Sequence, residues 1–112
     1  MVVVDFFIEL ARGIWDCIDH AFKAILNFAH HIVGFFKNPS RLKKLKEDRN
    51  LMAIAIKENL ANGNYKTVNC LFNKATNKVE DEDYQEALGI ESNDIDSETE
   101  QAFGDKAMIV LE

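Results

Sequence analysis

Apolar residues recur at spacings of three and four from residue 2 to residue 37. One row runs Val4, Ile8, Ala11, Trp15, Ile18, Phe22, Ile25, Ala29, Ile32 and Phe36, and a second runs beside it through Phe7, Leu10, Ile14, Cys17, Ala21, Ala24 and Phe28. This is the period of an amphipathic helix. It leaves Asp5, Glu9, Arg12, Asp16, Asp19, Lys23 and Asn27 on a narrow polar stripe. The apolar arc is roughly 160° wide, against about 100° for an ordinary surface helix. One long helix over about 2–37 is therefore expected.

"KNPSRLKK" ends that helix and starts another, because Asn38 suits an N-cap and Pro39 a first helical turn. Leu42, Leu45, Met52, Ile56 and Leu60 share a face of a second helix over about 39–61, and Gly63 supplies its stop. So short a joint implies an antiparallel helical hairpin.

After Gly63 the period becomes alternating. "YKTVNCLFN" sends Val68, Cys70 and Phe72 one way and Tyr65, Thr67 and Leu71 the other, which reads as a strand over 65–72 pairing with something inside 78–90. "NDIDSETEQAFGD" reads as a short helix with Asp94 or Asp96 as N-cap and Gly104 as its end, and "KAMIVL" as a closing strand. The expected fold is α+β: a long N-terminal helical hairpin, residues 1–62, followed by a small acidic ββαβ lobe, residues 63–112.

Charge reinforces that division. Of the 112 residues, those up to 79 hold twelve Lys and Arg against seven Asp and Glu, while those from 80 onward hold one against twelve. The net −6 thus combines +5 with −11. Such an acidic second part argues against direct nucleic-acid binding. Glu80, Asp81, Glu82, Asp83, Asp94, Asp96 and Glu98 are instead the candidate surface for a protein partner. The basic cluster Arg41, Lys43, Lys44, Lys46 and Arg49 lacks stacking aromatics and reads as a solvated face.

Chemistry has little to stand on. Cys17 and Cys70 form no disulfide framework or metal-spacing motif, which favours a reduced, cytoplasmic protein. Cys17 and His20 lie one helical turn apart, but two ligands do not complete a metal site, and Cys17 sits on an apolar row. "DIDSE" lacks the glycine of a calcium loop. No phosphate loop, nucleophile elbow or carboxylate pair is identifiable. No catalytic residue, cofactor or metal is therefore assigned, and a non-enzymatic role is expected.

The long helix carries the functional expectation. At 1.5 Å per residue it would be roughly 54 Å long, against a diameter of roughly 35 Å for a compact domain of this size. Large apolar faces left over mark interaction sites. Phe7, Ile14, Trp15, Ile18, Phe22, Ile25, Phe28, Ile32 and Phe36 are therefore expected to form a homo-oligomer interface. The sequence reads as a small regulatory or accessory protein, of the kind a phage or mobile element uses as an inhibitor, that self-assembles and shows its acidic lobe to an unidentified partner protein. The alternative is a peripheral membrane protein anchored by the same helix. The longest uncharged run, Ala24 to Phe36, is too short for a span.

Overall fold

"LMAIAI" is a continuous apolar run of strand length and "TVNCLF" an apolar run interrupted by Asn69, and both become strands buried on two faces. A computed structural model describes residues 3–79 and 87–111, and in it Leu51–Asn59 and Tyr65–Asn73 pair antiparallel from Leu51 opposite Asn73 to Asn59 opposite Tyr65. The chain runs α1 (Val3–Cys17), β1 (His20–Leu26), then α2, a π-helical stretch Phe28–Val33 continuing as α-helix over Gly34–Phe36. There follow α3 (Pro39–Glu47), β2 (Leu51–Asn59), β3 (Tyr65–Asn73), β4 (Lys78–Val79), β5 (Ala87–Ile95), α4 (Ser97–Phe103) and β6 (Met108–Leu111). The strands form one mixed sheet ordered β1-β5-β3-β2-β6, with β4 beside the end of β3. Among the described strands, only β1 and β5 pair in parallel.

Strand alternation sorts the core into two layers. Met52, Ile54 and Ile56 of β2 and Val68, Cys70 and Phe72 of β3 face α1, which contributes Phe7, Ala11 and Ile14. Phe7 and Phe72 meet edge to face at 4.9 Å. Ala53, Ala55, Leu71 and Ile90 line the opposite face, covered by Ile32 and Phe36 of α2 and Phe103 of α4. Each fully buried aliphatic or aromatic side chain contributes about 1.5–3 kcal/mol. The central strands therefore carry most of the stability.

The long N-terminal helical hairpin is not formed. The helix predicted over 2–37 breaks into α1, β1 and α2, and the helix predicted over 39–61 ends at Glu47, its remainder becoming β2. The molecule's longest extent is 37 Å, which a 36-residue helix would overrun. Its two apolar rows serve opposite faces of the sheet: Phe7, Ala11 and Ile14 are in one core, Ile32 and Phe36 in the other. A rigid helix cannot reach both. Strand β1 carries the chain around the sheet edge from one face to the other, paired with a segment 69 positions away, His20 opposite Gly89. In β2 a tertiary partner likewise overrides helical spacing, since an apolar run of this length reads equally as helix or buried strand. Asp48 makes the turn between α3 and β2, its Oδ1 accepting the Asn50 N–H at 2.9 Å.

The expected ββαβ lobe is also not a separate unit in its pairing. β6 pairs with β2, from the other side of residue 62, so the sheet draws strands from both halves of the chain. Gly63, expected as a helix stop, is instead the φ +90° residue of the β2–β3 hairpin. The strand expected over 65–72, the helix capped by Asp96 and ended by Gly104, and the closing strand are formed as β3, α4 and β6. Any expectation placed on residues 80–86 lies outside the described residues.

Candidate functional site

The sheet has two outer strands on its main path, and they differ. β6 is four residues long, with only Val110 strongly exposed. β1 is seven residues long, and its first six, His20–Ile25, are all exposed; only Leu26 is buried. Alternation directs Phe22 and Ile25 to opposite sides of the strand, yet they are 58% and 57% exposed. The helical layers reach β1 at its two ends but leave Phe22 and Ile25 uncovered, and one backbone edge of the strand is unpaired among the described residues. An edge strand of this kind is a template for another strand unless blunted by charge, proline or a bulge. "HAFKAIL" carries one Lys and no proline.

The base of β1 is held firmly. The Trp15 and His20 rings stack at 3.7 Å, 10° from parallel. Gly89 of β5 permits this, because a Cβ there would lie 3.1 Å from Trp15 Cε3 and 3.2 Å from His20 Cβ. Behind Trp15, Lys66 Nζ sits 5.4 Å from the ring centre and 3.1 Å from Glu58 Oε1. Arg12 donates to Glu58 Oε2 from Nη2 at 2.6 Å and from Nε at 3.2 Å. The Arg12 hydrogen bonds hold the Glu58 carboxyl below its ordinary range against the opposing effect of burial.

The far end of β1 is anchored by Asp96. Its Oδ2 accepts the Phe28 N–H at 3.1 Å, while Oδ1 caps α4 by accepting the Thr99 N–H at 2.9 Å and bonds the Thr99 hydroxyl. The Asp96 N–H in turn donates to the Leu26 carbonyl at 2.9 Å. Burial raises the Asp96 carboxyl, but these hydrogen bonds outweigh it and leave the group below its usual value. His31 Nδ1 accepts the Asn27 N–H at 2.7 Å. Burial, then the nearby Lys23 and His30 charges, push the His31 imidazole down, so it is held neutral in that acceptor role. Beneath α2, Asn69 Nδ2 donates to the His31 carbonyl at 2.9 Å. Asn69 Oδ1, Thr67 Oγ1 and Ser92 Oγ are buried there without a hydrogen-bond partner among the described residues.

The nine residues expected to make one helical interface are dispersed. Phe7, Ile14, Ile32 and Phe36 are buried, Trp15, Ile18 and Phe28 are half-buried, and of the nine only Phe22 and Ile25 stand out in solvent, on opposite sides of β1. That shared exposure depends on β1 being an edge strand, which helical spacing concealed. Of the acidic candidates, Asp94 and Glu98 are exposed, whereas Asp96 is half-buried as an internal cap. Glu80, Asp81, Glu82 and Asp83 lie outside the described residues.

Groups for catalysis do not converge among the described residues. No cluster of three or more His, Cys, Asp or Glu side chains could hold a metal ion there. Burial pushes the Cys70 thiol up to about 12, so it is not a thiolate nucleophile near neutrality. Cys17 is exposed, and its neighbour His20 is engaged with Trp15. An open groove of about 620 Å³ beside β6 is lined by Phe28, Val33, Ala102, Lys106 and Met108–Leu111, a set without a nucleophile–base pair. No described helix is long and apolar enough to cross a membrane. Comparison with protein-family models, with curated proteins and with solved structures finds no match.

Proposed function

We propose that the protein is a non-enzymatic binding domain that docks an extended protein segment along β1, in a regulatory or accessory role. The observation that carries this reading is the six-residue exposed run His20–Ile25 on an outer strand, with Phe22 and Ile25 uncovered on its two sides. In strand addition the main chain supplies affinity, and side-chain positions on alternate sides supply specificity. A firm base at Trp15–His20 and a firm end at Leu26–Asp96 hold the strand extended before binding, which lowers the entropy lost on docking. Two unpaired cysteines, Cys17 and Cys70, support a reducing, cytoplasmic setting. For membrane-surface anchoring, the apolar face of α1 is committed elsewhere, since Phe7, Ala11 and Ile14 lie in the core.

Selection of random displayed peptides on dilute immobilised protein tests the reading. Peptides that bind the native chain and not a Phe22→Asp/Ile25→Asp variant are expected. Retained binding in that variant, or no selected binder together with no self-association through β1, contradicts it.

A further inference from the structure

The exposed edge has a symmetry that points to its occupant. Residues 19–25 are exposed without interruption, from Asp19 just before β1 to Ile25 within it. Two copies of one strand can pair antiparallel about a two-fold axis normal to the sheet, and that axis must pass through a residue, because partners must share a face. Using all seven exposed residues then places the axis at Phe22. We infer that β1 docks onto β1 of a second copy of this chain, antiparallel, with Phe22 opposite Phe22 of the other copy; this rests on the reading of β1 as a docking edge.

The run is complementary to itself in that register. On one side of the paired strands, His20 faces Ala24 of the other copy and the two Phe22 rings meet at the centre. On the other side, Lys23 faces Ala21, Ile25 faces Asp19, and each Lys23 lies diagonal to both the opposite Lys23 and the opposite Asp19, toward which its long side chain can turn. Apart from the central Phe22 pair, His20 and Lys23 each oppose an alanine, and one Asp and one Lys leave the run neutral. Moving the axis by one residue, to Lys23, sets lysine directly against lysine, an unfavourable pairing. Centring on Ala21 or Ala24 shortens the paired run. The dimer joins two sheets into one, and Phe22 fills a strip that neither helical layer covers. A seven-residue edge buries less than the roughly 800 Å² per partner of a standard interface, so the dimer is weak and concentration-dependent.

Sedimentation of the full chain from low micromolar to several hundred micromolar tests this. Reversible dimerisation is expected in the native chain and in Val110→Asp at the opposite edge, but not in Phe22→Asp, with far-UV circular dichroism reporting the fold of each. Substitution at Ile25 reads the register without touching the axis. Ile25→Lys, facing Asp19, should dimerise severalfold more tightly than Ile25→Asp; the reverse order places Ile25 against Lys23 and overturns the inference. A strict monomer that still binds selected peptides along β1 overturns the second copy as occupant and leaves the docking edge standing. A dimer broken by Val110→Asp and not by Phe22→Asp overturns the inference too, and if no peptide depends on Phe22 and Ile25 the docking edge falls with it.

Discussion

β1 and β2 begin from the same kind of sequence and end in opposite environments. Both carry apolar residues at spacings that fit a helix, and both are strands. β2 lies between β3 and β6, with Ile54 and Ala55 fully buried on its two faces. Among the described residues β1 has one neighbour, and its Phe22 and Ile25 are more than half exposed. The apolar content of β2 is therefore buried in the fold, and that of β1 is left uncovered. Apolar pattern alone does not distinguish these uses; position in the sheet does.

The sharpest way to break that contrast is to truncate the same residue type in each strand. Ile54→Ala should destabilise the protein by about 2–5 kcal/mol, as expected for a buried isoleucine whose site collapses only in part. Urea denaturation measures this. Ile25→Ala, at an exposed site, should stay within about 0.5 kcal/mol of the native chain. Equal losses would place β1 in a core and remove the contrast.

A smaller effect is expected where β1 is tied to the rest of the fold. Asp96→Ala removes the cap of α4 together with the acceptor for Phe28, and should cost about 1–2 kcal/mol by thermal or urea unfolding. The Asp96 and Glu58 carboxyls are both held below their ordinary values, so their contributions are present above the unfolded carboxylate range. They are lost as pH falls through the depressed folded values.

His31 gives the finest test. Its folded pKa is lowered, so the unfolded chain binds the proton first. Stability should decline as pH falls below about 6.5 and stop declining once pH passes the folded value. His31→Gln should abolish that step while leaving the carboxylate-linked loss at lower pH. An unchanged profile in the variant would show that His31 is not held neutral by its surroundings.

Some of this was legible in the chain. Alternation gave β3, an N-cap at Asp94 or Asp96 with Gly104 as the stop bounded α4, and Asn38–Pro39 marked the start of α3, because these signals are local. β1 was not legible, since what makes it a strand is a parallel partner, β5, far along the sequence. Nor was β2: "LMAIAI" between "KLKEDRN" and "KENLANG" satisfies a helical face and a buried strand alike. The candidate surface suffered in the same way. In the sequence, Phe22 and Ile25 share a helical face with seven neighbours that the fold buries wholly or in part. The two that remain outside are those on the strand that leads the chain around the sheet edge.

Amide hydrogen exchange along β1 and β2 tests the central claim most directly. The β2 amides are expected to exchange only with global unfolding at any concentration. Along β1, amides directed at β5 should be protected throughout, and those on the open edge should become protected only when a docked strand is present, at high protein concentration or with a selected peptide. Open-edge amides that exchange equally fast under every condition, or uniform helical protection from residue 3 to residue 36, would contradict it.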